Sequence, residues 1–280
     1  PPTRPASTRT WDSPPLPPGA AAPGMPMGAV FATFDRPWVA GNEIVFTGRV
    51  TGGGVTANDD EAIWIASWPL GDVSMVIREG VAAPGIGGGV LLKERTSATA
   101  SFRQTVIDAG GRIGFVSGLL GTGITNDNDS VAYVASRDMG GAWQFTLLGR
   151  EGQDAPGLTA GVDRYGVFGQ LWLNGRGEVA FTNQIGNQAW GLFAGTPGAI
   201  GLVAAANRTI DVGAPGAPDV RTVKFFYNQF GPAISSGGGG KGDGLATCLS
   251  DNGGVVYRAE FTDNSVGVFE HRLRPAQSAD

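Results

Sequence analysis

The sequence has few of the residues on which catalysis and cross-linking depend. Among 280 residues it contains one cysteine, Cys248, and one histidine, His271. A single cysteine excludes an internal disulfide framework and a zinc site built from cysteines. A hydrolytic triad would have to use His271, yet the sequence contains no G-x-S-x-G nucleophile elbow. We therefore predict that His271 lies at the end of the last strand and that Cys248 is a buried thiol. These residues favour a non-catalytic protein over an enzyme and leave both open.

Positive charge and long apolar runs are also scarce. The chain has 20 Lys and Arg against 25 Asp and Glu, for a net charge of −5. Because phosphate binding needs clustered Lys and Arg, this composition argues against a nucleic-acid partner. No run of about 18 apolar residues occurs, so we expect no membrane span in this chain. The opening PPTRPASTRT lacks Met, as expected after removal of a signal peptide or in a trimmed chain.

Glycine, in contrast, is abundant. The chain contains 47 Gly and 18 Pro without a collagen period, together with 41% hydrophobic residues. This composition indicates many tight turns between short strands around a packed core. The length alone is compatible with one large all-β domain or with two domains.

One phrase, LNGRGEVAF at residues 173–181, recurs along the chain in weaker copies. Lined up, the four versions are Asn174-x-x-Gly177-x-x-Ala180-Phe181, Asp108-x-x-Gly111-x-x-Gly114-Phe115, Ser250-x-x-Gly253-x-x-Val256-Tyr257 and Val39-x-x-Asn42-x-x-Val45-Phe46. Asn and Gly readily adopt positive φ angles, so each copy predicts a tight turn that leads into a strand. In the copy at residues 39–46, Asn42 occupies the position where Gly is expected.

Two further features recur in register with this phrase. The second phrase occurs as Gly19-x-x-Ala22-Pro23-Gly24, Gly80-x-x-Ala83-Pro84-Gly85, Gly152-x-x-Ala155-Pro156-Gly157 and Asp211-x-x-Ala214-Pro215-Gly216. The third feature is a column of aromatic residues, each six positions after Asn or Asp, formed by Trp64, Tyr133, Phe193 and Phe269. Three features in one order, at a period of about 60–75 residues, indicate a repeat protein. We expect a single repeat domain, residues 1–280, with units at about 19–80, 81–152, 153–211 and 212–273.

Each unit contains four short segments with an apolar period of two, which is typical of strands. We therefore predict an all-β fold, a β-propeller of four blades with four antiparallel strands each. The fourth unit lacks its last strand, and residues 1–18 form a spare segment before the first Ala-Pro-Gly phrase. If this N-terminal segment supplies the missing strand, the ring closes. An open stack of the same units and a two-domain sandwich are the alternatives.

These phrases resemble the bacterial tandem-repeat proteins named for their NxxGxxAF motif, of the choice-of-anchor type. The resemblance covers roughly residues 19 to 273 and is most specific at 174–181 and in the Ala-Pro-Gly phrases. It implies a repeat fold and export from the cell, with a varied C-terminal anchor. The last residues, HRLRPAQSAD, contain no hydrophobic sorting tail. The resemblance implies no particular activity.

Two acidic turns are the only candidates for a metal site. Oxygen atoms of Asp59, Asp60, Asp127 and Asp129 could bind calcium, although the spacing does not match an EF-hand loop. Asp and Asn are also the residues that turns require, so a structural turn is the favoured interpretation. The glycine-rich stretch 235–244 lacks the spacing of a phosphate loop, and we interpret it as an inserted loop. We expect no cofactor.

The sequence thus favours a non-catalytic exported propeller that acts as a binding or structural subunit of a larger periplasmic or extracellular assembly. A rigid ring with short loops is suited to docking other proteins. The alternative is a glycan-binding or glycan-cleaving extracellular protein with its site at the mouth of the propeller. That alternative predicts carboxylates or exposed Trp side chains that converge there.

Overall fold

The computed structural model describes residues 17–67, 71–93, 102–186, 189–214, 216–226 and 247–273. Within these ranges the chain forms seventeen β-strands and no helix. The strands pair in antiparallel fashion into four sheets of four or five strands. The prediction of an all-β fold with four antiparallel sheets is confirmed. No helix of the described part is long and apolar enough to cross a membrane.

Sheet 1 and sheet 2 follow the order of the chain. Sheet 1 contains β1 (Ala29–Ala40), β2 (Glu43–Gly52), β3 (Glu61–Ser67) and β4 (Val73–Arg78). Sheet 2 contains β5 (Leu91–Lys93), β6 (Phe102–Ile107), β7 (Ile113–Leu120), β8 (Ser130–Arg137) and β9 (Trp143–Arg150). Because β5 and β6 pair with opposite ends of β7, they are two segments of one interrupted first strand.

Sheet 3 and sheet 4 repeat this plan. Sheet 3 contains β10 (Tyr165–Leu173), β11 (Val179–Ile185), β12 (Ala189–Thr196) and β13 (Ala199–Ala205). Sheet 4 contains β14 (Thr209–Asp211), β15 (Val220–Phe226), β16 (Gly254–Phe261) and β17 (Val266–Arg272). Leu249 also bridges to Val255, so two separate segments border β16, as β5 and β6 border β7. The predicted loop 235–244 lies outside the described residues.

The aromatic column is explained by the register of the strands. In every unit the aromatic residue that ends the NxxGxxAF phrase pairs with the aromatic residue of the column. The pairs are Phe46 with Trp64, Phe115 with Tyr133, Phe181 with Phe193, and Tyr257 with Phe269. Their ring centroids lie 5.4–6.0 Å apart. Aromatic pairs across neighbouring strands stabilise a sheet, and here the same pair occupies the middle of all four.

The Ala-Pro-Gly phrases form short hairpins that pack against this column. The indole nitrogen of Trp64 donates to the Pro23 carbonyl at 3.0 Å, and the Tyr133 hydroxyl donates to the Pro84 carbonyl at 2.8 Å. These two bonds satisfy polar atoms of side chains that are otherwise enclosed by apolar neighbours. In the first two units, a hydrogen bond therefore connects the Ala-Pro-Gly hairpin to the centre of its own sheet.

The fourth hairpin differs from the alignment that the sequence suggested. Gly80 lies at a positive φ of 78° and donates to the Leu92 carbonyl. In the fourth unit Asn207, at a φ of 63°, makes the corresponding bond to the Val223 carbonyl. Asn207, and not Asp211, is therefore the structural equivalent of Gly80, because Asn tolerates the left-handed conformation. The fourth hairpin is four residues longer than the second, and the three-residue strand β14 lies within it.

Apolar clusters lie between successive sheets. The first cluster joins sheets 1 and 2 through Val45, Ile63, Phe115 and Tyr133. The second joins sheets 2 and 3 through Val116, Ala132, Phe181 and Phe193. The third joins sheets 3 and 4 through Ala180, Leu192, Val255 and Tyr257. A fourth cluster, around Trp64 and Phe31, belongs to sheet 1 alone. The hydrophobic core therefore runs through the array of sheets from the first to the fourth.

Within the described residues, the outward face of sheet 4 is more exposed than the corresponding faces of sheets 2 and 3. Val268 precedes Phe269 in β17, as Ala132 precedes Tyr133 and Leu192 precedes Phe193. Ala132 is fully buried and Leu192 is 1% exposed, whereas Val268 is 65% exposed. No buried cluster of the described residues combines sheet 4 with sheet 1. Residues 1–16 of the predicted closing segment lie outside the described residues, so closure of the ring stays a prediction.

Candidate functional site

The NxxG turns connect the first two full strands of each unit, and those of the second, third and fourth units share one construction. In the third unit, Asn174 Oδ1 accepts hydrogen bonds from the backbone nitrogens of Arg176 and Glu178, at 3.1 and 3.0 Å. Asp108 Oδ1 accepts the same two bonds in the second unit, at 2.8 and 3.1 Å. Ser250 is shorter and accepts one, from Gly254 at 3.0 Å. The first residue of the motif is therefore the acceptor that closes the turn.

The glycine of each motif supplies the positive φ that the turn requires. The φ angles of Gly111, Gly177 and Gly253 are 73°, 83° and 78°. The first unit departs from the prediction, because Gly41, at 58°, adopts the positive φ and Asn42 does not. Ala40 pairs with Glu43 there, so the loop is a two-residue hairpin, shorter than the other three turns.

The turns also contact one another from unit to unit. The residue four positions after the start of each motif reaches toward the glycine of the next motif. A Cβ atom on Gly111 would lie 2.6 Å from Glu43 Oε2, one on Gly177 would overlap the Arg112 guanidinium, and one on Gly253 would lie 3.1 Å from Glu178 Oε2. We call this row of turns, formed by residues 40–43, 108–112, 174–178 and 250–254, the turn row. Gly111, Gly177 and Gly253 each serve both their own turn and the contact with the neighbouring unit.

Hydrogen bonds reinforce the contact between the third and fourth turns. Asn174 Nδ2 donates to the Ser250 carbonyl at 2.8 Å, and the Gly175 nitrogen donates to Asp251 Oδ1 at 2.8 Å. Arg112 Nη2 donates to the Gly175 carbonyl at 3.0 Å and links the second turn to the third. The turn row thus fixes how each unit is placed against the next.

A cleft of about 350 Å³ lies beside the turn row between sheets 1 and 2. We call it cleft A, and its lining residues are Glu43, Gly110, Gly111, Arg112, Ser136 and Arg137. Arg137 Nη1 donates to Glu43 Oε1 at 2.8 Å, and its guanidinium lies 4.7 Å from the centre of the Trp143 ring. Arg112 Nε donates to Asp108 Oδ2 at 2.7 Å. The charged groups of cleft A are therefore paired one to one.

A second cleft of the same size, cleft B, lies between sheets 3 and 4. Glu178, which corresponds to Glu43, forms part of its wall, with His271 and Arg272 on the opposite side. The Glu178 side chain accepts from Asn174 Nδ2 at 2.6 Å and pairs with Arg176 at 3.2 Å. Small residues, among them Ala194, Gly195 and Gly201, form the remaining wall.

The first acidic turn proposed for calcium uses its oxygens within the turn. Asp59 Oδ1 accepts hydrogen bonds from the Thr56 nitrogen at 2.7 Å and from its hydroxyl at 2.9 Å. The backbone hydrogen bond from Thr56 lowers the pKa of Asp59. Burial raises the pKa of Asp60, which pairs with Arg49 at 3.7 Å. Asp59 therefore shapes the turn, and Asp60 lies at its buried end.

The second acidic turn has the same geometry without the same charge. Asn128 Oδ1 accepts from the Thr125 nitrogen at 2.8 Å, as Asp59 does from Thr56. The Asp127 nitrogen donates to the Thr125 hydroxyl at 3.3 Å, and Asp129 is buried. In the described ranges, no group of three or more His, Cys, Asp or Glu side chains is arranged to hold a metal ion. The turn role is observed, while calcium stays a prediction.

The remaining candidate residues have packing positions. Cys248 is buried, and burial raises the pKa of its thiol, as predicted for a core residue. His271 is exposed at the end of β17. Trp64 and Trp172 are buried, and Trp143 is half-buried beneath Arg137. The contact between neighbouring turns and the two clefts were missed by sequence reasoning. The residue four positions after the start of the motif is nevertheless long and charged in three units, as Glu43, Arg112 and Glu178.

Comparison with known proteins found no match among curated proteins. A family model does match residues 19–273, a range that begins at the first Ala-Pro-Gly phrase and ends just after β17. The match therefore includes all four sheets and the whole turn row. The chain belongs to the family described as "Family of unknown function (DUF7453)".

Proposed function

We propose that the four sheets are the blades of a four-bladed β-propeller and that residues 1–18 supply the last strand of sheet 4. Four sheets with one strand order and a core cluster between each successive pair support this arrangement. β17 corresponds to β3, β8 and β12, each of which has a further strand on its outer side. Within the described residues β17 pairs with β16 alone. An added strand would protect that edge.

We further propose that the protein is a non-catalytic, exported subunit of a periplasmic or extracellular assembly and binds partner proteins there. One observation carries this proposal: three of the four Ala-Pro-Gly hairpins present an exposed apolar side chain. Met27 is 97% exposed, Val162 is 71% exposed and Val220 is 62% exposed. The repeat places these side chains on equivalent hairpins, and an apolar surface assembled in this way is one that a partner protein would bury.

The polar residues of the motifs support a binding role over a catalytic one. Asn174, Asp108, Ser250 and Asp59 each direct a side-chain oxygen at backbone nitrogens of their own turn. Groups engaged in this way maintain the scaffold and are not presented to a substrate. Export is proposed on the resemblance to the NxxGxxAF repeat proteins.

Native mass spectrometry of the protein, isolated gently from its own host, tests this function. We expect it to migrate with a defined set of other chains. A triple variant, Met27→Ser, Val162→Ser and Val220→Ser, should lose those chains and keep its melting temperature, because the three side chains are exposed. Met139→Ser is the matched control, since Met139 is fully exposed on the β8–β9 hairpin. A free monomer, or equal loss in the control, would contradict the proposal.

A further inference from the structure

We propose that cleft A binds a neutral, hydroxyl-rich ligand such as a sugar unit, and that cleft B is a second site of the same class. This inference is independent of the protein-docking function, which rests on the hairpins at residues 19–31, 152–165 and 207–223. The clefts lie instead beside the turn row. At about 350 Å³ each cleft lies within the size range of small-molecule sites.

The charges of cleft A favour a neutral ligand over an ion. Arg137 is paired with Glu43 and Arg112 is paired with Asp108, so no full charge is left to attract an ion. Both partners of each pair keep hydrogen-bonding capacity, because a carboxylate accepts several bonds and a guanidinium has five N–H groups. A hydroxyl group donates and accepts at once, so beside the direct pair it can donate to the carboxylate and accept from the guanidinium. The Ser136 hydroxyl adds a further polar group to the wall.

The cleft is held in shape before any ligand enters. The Trp143 ring supports the Arg137 guanidinium at 4.7 Å, which limits the motion of that side chain. Arg112 is fixed by Asp108 and by the Gly175 carbonyl. Gly110 and Gly111 form part of the wall without side chains, so a ligand can approach the backbone there. Preorganised polar groups lower the cost of binding.

Cleft B lies at the corresponding place, where Leu273 occupies the position of Arg137. Its charges are also paired, Glu178 with Arg176 and the exposed Arg272 with Glu270. Glu178 corresponds in position to Glu43. Arg272 corresponds to Ser136, because each lies three residues after the column aromatic of its strand, Phe269 or Tyr133. Between sheets 2 and 3, Arg112 itself lies across Gly175 and Gly177, so the side chain fills that position. The structure therefore offers two sites, one on each side of the filled position, and each binds its own ligand.

Isothermal titration calorimetry tests the proposal with three defined probes: a neutral hexose tetrasaccharide, a uronic acid tetrasaccharide and a glucosamine tetrasaccharide. We expect the neutral probe to bind with two sites per chain and the charged probes to bind at least tenfold more weakly. Arg137→Ala should reduce the number of sites from two to one, and Arg272→Ala should do the same. The double variant should not bind.

Arg164→Ala is the matched control, because Arg164 is an exposed arginine paired with Asp154 away from both clefts. It should bind as the unaltered protein does, and a circular dichroism spectrum of each variant verifies the fold. Glu43→Gln keeps the shape of the side chain and removes its charge, so it should weaken binding at cleft A several-fold. The proposal is overturned if no neutral probe binds at millimolar concentration, if a charged probe binds best, or if Arg137→Ala and Arg272→Ala behave as Arg164→Ala does.

Discussion

Sheets 3 and 4 have the same strand order, yet the described residues cover both faces of sheet 3 and only one face of sheet 4. Leu192, on the face of sheet 3 that meets sheet 4, is 1% exposed, whereas the corresponding Val268 is 65% exposed. The next residue on that face also differs, since Ala194 is 3% exposed and Glu270 takes its place in β17. Corresponding positions of one repeat thus lie in two environments.

The polar residues of sheet 4 explain how this face tolerates water. Arg258 and Glu260 in β16 correspond to Thr182 and Gln184 in β11, and Lys224 pairs with Glu260 at 2.7 Å. Within the described residues, sheet 4 therefore combines the strand order of the other sheets with a more polar outward face.

The largest expected effect comes from truncating the two corresponding residues. Leu192→Ala should lower the free energy of unfolding by about 2–5 kcal/mol, because it leaves a cavity between sheets 3 and 4. Val268→Ala should change it by less than about 0.5 kcal/mol, because that side chain is largely in water. Urea denaturation followed by fluorescence measures both. A large loss in Val268→Ala would mean that a partner or the N-terminal segment covers this face in solution.

A second comparison concerns glycines inside and at the end of the turn row. Gly177→Ala should cost about 2–4 kcal/mol, since the new Cβ would meet the Arg112 guanidinium and the φ of 83° is unfavourable for alanine. Gly41→Ala should cost only about 1–2 kcal/mol, because its Cβ would meet no atom within 4 Å. Thermal denaturation of both variants gives the difference. Equal losses would show that the neighbouring unit contributes nothing to the need for glycine.

The first residue of the motif gives a third, smaller difference. Asn174→Ala removes two acceptor bonds within the turn and the bond to the Ser250 carbonyl, so we expect a loss of about 1–3 kcal/mol. Ser250→Ala removes one bond in the partly exposed turn of the terminal unit and should cost about 1 kcal/mol. Chemical denaturation orders the two variants. A greater loss in Ser250→Ala would place the main stabilising contact in the terminal unit.

The repeating part of the fold was predictable because each recurring residue has a local reason. Asn174 and Gly177 are required by the turn, and Phe181 and Phe193 are required by the sheet, so their spacing reports the strands directly. The fourth Ala-Pro-Gly phrase misled the alignment, since the letters at 211–216 match while the backbone equivalence is set by Asn207. Local sequence cannot reveal which residue pairs with Leu92 or Val223 across a hairpin of variable length.

The candidate clefts were not predictable from the sequence for a different reason. Glu43 and Arg137 are 94 positions apart and meet only because two sheets pack together. A lone charged residue after a turn is normally solvated, and nothing in the local sequence separates that case from a paired one. The acidic turns show the opposite case, a cluster that is visible in the sequence but serves its own turn in the structure. Asp59 and Asp60 were visible as a cluster, and the structure assigns Asp59 to its own backbone.

The acidic turns of sheets 1 and 2 give the smallest expected effect. Asp59→Asn copies Asn128 of the corresponding turn in sheet 2, so it should change the free energy of unfolding by less than about 0.5 kcal/mol at neutral pH. If calcium bound here, the variant would lose it, and a chelator would lower the melting temperature of the unaltered protein alone. We expect no shift with chelator in either protein, as measured by calorimetry.

The pH dependence of the free energy of unfolding separates the roles of Asp59 and Asp60. The pKa of Asp59 is lowered by the Thr56 hydrogen bond, so its contribution to stability is present above the unfolded pKa of about 4 and is lost as the pH falls through the folded value. The pKa of Asp60 is raised by burial, so its contribution is present below that pH and is lost as the pH rises. Asp59→Asn should therefore flatten the acid limb of the stability curve, and Asp60→Asn should flatten the limb above about pH 4. Urea denaturation from pH 2 to pH 7 measures both limbs, and the same change in both variants would show that the two carboxylates titrate as one group.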